Sequence, residues 1–323
     1  MYDRTPDGRE KRVYQEEQKM DKKKKLLEKI WRYRGVYLLL LPSAILLFIF
    51  WALPLGGIVM AFQDFVPARG FFESKWVGLK HFKRFFDSPM SWPVIRNTVT
   101  ISLYRILAGF PLPIVLALIC NQMRVKRYKK VFQVITYLPH FISTVVLCGM
   151  VILFLSPGSG VIGVVLKKFG IQMPNLMASA SAFPHIYVWS GIWQNVGWNS
   201  ILYVAALAAI DPSLYEVATM DGATKFQKML YIDLPLLMPT AVIMLIMEFG
   251  SVMSVGFEKV YLLQNTMNTS TSQIIATYAY ELGLVNAQYS LSTAIGLFQS
   301  VVNLILVVAV NMITKKMSDT SLF

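Results

Sequence analysis

Six stretches of this 323-residue chain run for more than twenty residues with almost no charge: roughly 36–62, 94–120, 131–155, 184–209, 236–256 and 290–314. A helix of about 20 apolar residues crosses the hydrocarbon core of a bilayer. Six such stretches in sequence predict an all-α, polytopic membrane protein of about six transmembrane helices. Pro42 and Pro54 are expected to kink the first, and Pro157-Gly158 to end the third. A soluble chain is excluded by composition. Hydrophobic residues make up 55% and charged residues 15%, against about a quarter charged in soluble domains.

The charges are segregated. Residues 1–34 hold twelve Lys/Arg and seven Asp/Glu. They read as a basic cytoplasmic N-terminal tail, with 35–323 as the transmembrane domain. The tail is too long and too charged for a signal-peptide n-region. A net charge of +13 fits either a nucleic-acid partner or the positive-inside bias of membrane proteins. The position of the cations beside apolar spans selects the second. The run Lys22-Lys23-Lys24-Lys25 is expected to meet anionic lipid headgroups.

Orientation follows from the same bias. The 121–130 connection carries Arg124, Lys126, Arg127, Lys129 and Lys130 and no acid, and Lys315-Lys316 follow the last span. Both termini are therefore expected in the cytoplasm, with the chain in the cytoplasmic membrane. The 63–93 connection is then external despite Arg69, Lys75, Lys80, Lys83 and Arg84. Within it, Leu79, Phe82 and Phe86 recur at helical spacing and predict an amphipathic helix on the outer surface. The polar 257–289 connection is long for a plain link and is expected to pack back over the membrane face or touch a partner. Cys120 and Cys148 lie in apolar segments and form no disulfide framework. His81, His140 and His185 have no metal spacing, so no metal site is expected.

The segment between the fourth and fifth stretches, 211–235, carries the sharpest local pattern. Asp211 can cap a short helix with Pro212 at its first position. Gly222 supplies a turn where positive φ would strain other residues. Pro235 is expected to close a second short helix and open the next span. The segment also contains Glu216-Val217-Ala218, then three residues, Gly222, nine residues, and Ile232-Asp233-Leu234-Pro235.

That spacing resembles the EAA loop of binding-protein-dependent ABC import permeases: Glu-Ala-Ala, three residues, Gly, nine residues, Ile-x-Leu-Pro. Val217 replaces the usual Ala, which keeps the side chain short. The resemblance implies a type I ABC importer permease fold and a cytoplasmic coupling helix that docks into an ATPase subunit. Carried onto this chain, the coupling residues are Glu216, Val217, Ala218, Met220, Asp221, Gly222, Phe226, Ile232, Leu234 and Pro235. Glu216 would meet a basic residue of the partner groove, and Met220, Phe226 and Met229 would be apolar contacts. The implied partners are a second permease subunit, two ATP-binding subunits that hold ATP and Mg, and an extracytoplasmic substrate-binding protein.

The resemblance extends over roughly 35–323. Asn97-Thr98, Asn121, Leu138-Pro139, Trp189, Trp193 and Gly197 look like the maltose-permease-like branch. The runs from Gly256 to Leu263 and from Tyr289 to Phe298 are similar to polysaccharide, pectin- and alginate-oligosaccharide permeases. An oligosaccharide, with uronic-acid sugars among the options, is the substrate this implies. A disaccharide, a glycerol phosphodiester or a peptide are the alternatives within the class.

Catalysis has no support in the sequence. There is no Gly-x-x-x-x-Gly-Lys-Ser/Thr loop, no His-Glu-x-x-His and no Gly-x-Ser-x-Gly. The chain itself is expected to bind no cofactor and to be no enzyme, so ATP hydrolysis must come from a separate subunit. Arg105 and Glu248 are the ionisable residues deep within spans, where a charge costs at least about 2.5–3.5 kcal/mol. Each is expected near mid-bilayer, paired with the other, facing the translocation cavity, or touching a partner permease. An ion relay in a stand-alone secondary transporter would also use them, but leaves the loop spacing unexplained. Trp189, Trp193 and Trp198 can stack on sugar faces, and Asn195 and Asn199 can bond hydroxyls. Ordinary packing and an interfacial aromatic belt compete with that reading.

Overall fold

The computed structural model describes residues 29, 31–123 and 125–317. The Lys22–Lys25 run, Arg124 and the Lys316 side chain lie outside the described residues, as does most of the 1–34 tail. The chain divides into two compact units, Met1–Ile58 and Val59–Phe323.

The described part of the first unit is a helical rod. α1 (Arg34–Leu47) contains Pro42, a π turn follows at Phe48–Ala52, and a short helix Leu53–Leu55 contains Pro54. None of these residues is buried, as suits a segment that is apolar all round and surrounded by lipid.

The second unit opens with a small hairpin, β1 (Gln63–Asp64) paired antiparallel with β2 (Lys75–Trp76). α2 (Lys80–Phe86) follows. This is the helix expected near residue 79. His81 and Phe85 are the buried side chains, whereas Leu79 and Phe86 are exposed. Phe85 packs against Val94, Leu291 and Ile295, and His81 Nε2 bonds the Gln63 carbonyl at 3.1 Å. The side that packs on the last helix is therefore the one carrying His81 and Phe85.

α3 (Ser91–Gly109) and α4 (Pro111–Asn121) form the second span, with Pro111 where its missing N–H is tolerated. The third apolar stretch is not straight. α5 (Lys126–Tyr137) runs into a 3₁₀ turn at Leu138–Phe141, and α6 (Thr144–Phe154) leaves at 96° to it. Pro139 lies in the turn, and Ser143 is extended and caps α6 by accepting from Val146 N. The break is thus written as a stop and a restart.

α7 (Phe183–Ala208) is a 26-residue helix, about 39 Å long at 1.5 Å per residue. α8 (Pro212–Met220) turns off it by 71°. α9 (Lys225–Lys228), a π turn at Met229–Asp233 and α10 (Leu234–Phe249) then form one continuous helical rod. The fifth span therefore begins at Lys225, and Pro235 does not end a helix. The wider π turn just before it accommodates the ring and the lost N–H. The same arrangement, a π turn ending two residues before a proline, occurs at Phe48–Ala52 and Pro54.

The 257–289 connection folds back on the bundle. α11 (Phe257–Leu263) buries Val260 and Leu263 against Phe183, Tyr187 and Ile101. Asn97 donates to the carbonyls of Ser270 and Gln273, both at 3.0 Å, and Ile275 N donates to Thr98 Oγ1 at 2.9 Å. α12 (Tyr289–Met317) ends the described chain. Among the described residues four helices are long and apolar enough to cross a membrane, or up to six if each bent pair is one span.

Where helices meet in lipid, small residues allow close backbone approach. Gly197 of α7 is the clearest case: a Cβ there would lie 2.0 Å from the Thr136 carbonyl oxygen of α5.

Candidate functional sites: an exposed hairpin and a charged cavity

The 211–235 segment is a helical hairpin fixed by its own short-range bonds. Asp211 caps α8 by accepting from Ser213 N at 2.9 Å. At the other end, Gly222 adopts φ +76°. Its N–H bonds the Thr219 carbonyl at 3.1 Å, and Ala223 N bonds the Ala218 carbonyl at 2.9 Å. This is the Schellman closure, which places a glycine at the left-handed position. Thr224 and Gln227 form a capping box that starts α9. Lys228 Nζ donates to Thr219 Oγ1 at 2.6 Å and ties the two arms together.

The outward face of this hairpin is apolar and uncovered. Val217 is 58% exposed, Met220 88% and Phe226 66%. Glu216, Asp221, Gly222 and Pro235 are exposed too, while Ala218, Ile232 and Leu234 are half-buried. Among the described residues Glu216 makes no salt bridge. Met229, expected among the outward contacts, instead packs on the bundle core beside Leu207 and Leu237.

One residue within the quoted motif does something its sequence context did not single out. Asp233 is completely buried. Its carboxylate accepts from Gln122 Nε2 at 2.9 Å, from Asn121 Nδ2 at 3.3 Å and from the Tyr215 hydroxyl. Three donors satisfy the buried charge. They also join α8, the end of α4 and the start of α10 at one point. The signal available was an acid at an otherwise apolar position with no neighbouring base.

The charges inside the spans meet. Arg105 Nη2 donates to Glu248 Oε2 at 3.1 Å and to Ser251 Oγ at 3.3 Å. Both side chains are about one-third exposed, and both line a cavity of about 300 Å³ between α3, α7, α10 and α11. Asn195 and Asn199 line the same cavity. Asn195 Nδ2 donates to the Gly191 carbonyl at 3.0 Å, and its Oδ1 lies 2.9 Å from His140 Nδ1.

The structure does not bring Trp189 and Trp193 into this cavity. At about 100° per residue, Trp193 lies about 160° around α7 from Asn195 and Trp189 about 120°. Trp189 Nε1 donates to the Tyr104 hydroxyl at 2.9 Å, which in turn lies 2.8 Å from His185 Nδ1. Trp198 stacks on His140 with ring centroids 4.3 Å apart. A second residue that sequence reasoning did not single out, Lys259 of α11, also lines the cavity. Among the described residues no group of three or more His, Cys, Asp or Glu could hold a metal ion.

Residues 109–319 match the family described as binding-protein-dependent transport system inner membrane component. Over 305 residues the chain is 39% identical to the polygalacturonan/rhamnogalacturonan transport system permease protein YteP of Bacillus subtilis (strain 168), covering 94% of this chain and 95% of that protein. It is 39% identical over 292 residues to the protein LplB of the same organism, covering 90% and 92%. Its fold is similar, with TM-score 0.84 and 38% identity, to a chain in the crystal structure of a bacterial alginate ABC transporter in complex with an alginate pentasaccharide-bound periplasmic protein. That match covers 92% of this chain and 99% of the other.

Proposed function

This chain belongs to the family of binding-protein-dependent transport system inner membrane components, and on that premise we propose that it forms half of the translocation path of an ATP-driven oligosaccharide importer. The observation that carries the reading is near-full-length similarity, at 38–39% identity, to permeases whose names specify acidic polysaccharides. Polygalacturonan and alginate are both built of uronic-acid sugars, so the proposed cargo is a uronate-containing oligosaccharide.

The mechanism divides between the two sites. The hairpin 211–235 faces the cytoplasm, as do both termini, and its exposed Val217, Met220 and Phe226 enter a groove on an ATP-binding subunit. ATP and Mg are held by that subunit and not by this chain. Closure of two such subunits moves the hairpin as a body, because its caps and the Lys228–Thr219 bond hold its shape. Asp233 passes the movement to α4 and α10 together. The cavity, with Arg105, Glu248, Asn195 and Asn199, is this chain's share of the path. A second permease subunit supplies the other half, and a binding protein delivers the sugar from outside. The sugar is moved chemically unchanged.

Co-expression with its genomic neighbours, affinity purification through this chain and assay of ATP hydrolysis with binding protein and oligogalacturonate test the reading. A second permease and an ATPase should co-purify, with hydrolysis stimulated by the loaded binding protein. Gly222→Asp should abolish that stimulation. A chain that purifies alone, with the variant indistinguishable from wild type, would reduce the hairpin to a linker.

A further inference from the structure

We propose that Lys259 turns the cavity into a carboxylate-reading site, so that the permease itself favours uronate-bearing over neutral oligosaccharides. The inference rests on the import reading above and adds a specificity-determining residue to it.

The charge balance of the cavity carries the argument. Its lining holds two cations, Arg105 and Lys259, and one carboxylate, Glu248. Glu248 is taken by Arg105 at 3.1 Å. Lys259 is 8% exposed, and among the described residues no carboxylate lies within salt-bridge distance of it. Its ammonium has three donors. One reaches the Tyr187 carbonyl oxygen at 2.9 Å, and the charge lies 4.9 Å from the Tyr187 ring centroid. A buried ammonium without a counter-ion is costly. A carboxylate entering the cavity would relieve that cost, and a neutral sugar would not.

Two further observations point the same way. Arg105 Nε is buried without a hydrogen-bond partner, so the Glu248 pair leaves the guanidinium only partly satisfied. The ammonium also has room made for it: a Cβ on Gly191 would lie 3.0 Å from Lys259 Nζ. α11 lies outside the candidate spans, and burial pushes the Lys259 ammonium down to about 8. A purely structural role, tying α11 to α7 through Tyr187, needs only one donor and no net charge.

The test uses the complete importer in proteoliposomes with trigalacturonate and its trimethyl ester, which differ in charge but not in sugar. Lys259→Gln should lower trigalacturonate uptake about 10- to 100-fold, the range expected for a lost hydrogen bond to a charged group. It should leave uptake of the ester at its wild-type level or raise it. Lys259→Arg should restore most of the trigalacturonate uptake. Equal loss for both probes, or failure of arginine to restore, would make Lys259 a packing tie and overturn the proposal alone. A wild-type complex that moves neither probe would overturn the substrate reading and this proposal with it.

Discussion

The hairpin and the cavity are held by opposite means. Most bonds within the hairpin join residues close in sequence, Asp211 to Ser213, Ala223 to Ala218, Thr224 to Gln227 and Lys228 to Thr219, while Tyr215 to Asp233 spans its two arms. Its apolar side chains point out and its one buried charge points in. The cavity is assembled from groups far apart in the chain, Arg105 with Glu248 and Lys259 with Tyr187, and it turns charges inward. A part that is gripped from outside must be rigid by itself and open on one face. A part that receives a polar solute must gather its groups from several helices. Asp233 is the point where the two designs touch, since it bonds the hairpin through Tyr215 and the bundle through Asn121 and Gln122.

The largest expected effect breaks that junction. Asp233→Leu takes the acceptor away from three half-buried donors, each costing up to about 1–3 kcal/mol. The purified importer should melt at lower temperature, and its ATPase should lose stimulation by loaded binding protein. If stimulation survives, the hairpin needs no anchor and the contrast between the two regions fails.

Gly197→Ala comes next. Its Cβ would meet the Thr136 carbonyl at 2.0 Å and force α5 and α7 apart, an overpacking cost of about 1–3 kcal/mol or more. Transport should fall together with thermal stability, while the hairpin retains its ATPase partner in a pull-down.

Removing either half of the central ion pair sharpens the other side of the comparison. Arg105→Glu and Glu248→Arg should each impair uptake, and the double variant should recover part of it. The expected coupling lies between about 0.5 and 3 kcal/mol. A double variant no better than either single one would mean that the groups act separately.

The smallest effect is in the hairpin itself. Thr224→Ala removes the capping box, which is worth about 1 kcal/mol. It should lower stimulated ATPase activity by less than Gly222→Ala, which forces a β-carbon into the left-handed region at roughly 1–2 kcal/mol. The reverse order would place the turn, and not the α9 start, as the softer element.

The same contrast governs what could be read in advance. The hairpin was legible because its geometry is local: a glycine at the Schellman position and a proline at the first turn leave fixed intervals in the chain. Six apolar stretches announced the spans for the same reason. The 96° bend at Ile142–Ser143 was not legible in hydropathy, because a cap and a 3₁₀ turn are apolar enough to pass unnoticed. Met229 went to the bundle because packing across helices overrides local spacing. Asp233 and Lys259 stood inside quoted runs, yet their partners lie 111 and 72 positions away, beyond the reach of any local pattern. Trp189 and Trp193 were correctly placed on α7, but the helices packed around it decide which side of it faces a cavity.

The π turn at Met229–Asp233 gives the motif's spacing a meaning beyond the turn itself. A π turn holds one residue more than the α-helix around it, and one residue is about 100° of rotation. Counted from Lys225, every side chain from Leu234 onward is therefore out of phase with an uninterrupted helix by that angle. Glu248, which meets Arg105 at 3.1 Å, lies on this offset part of the helix. The nine residues between Gly222 and Ile232 thus act as a phase setting. Shortening that interval by one would preserve hydropathy, span length and both ends of the motif, yet swing the acid of the central pair to a different side of the span.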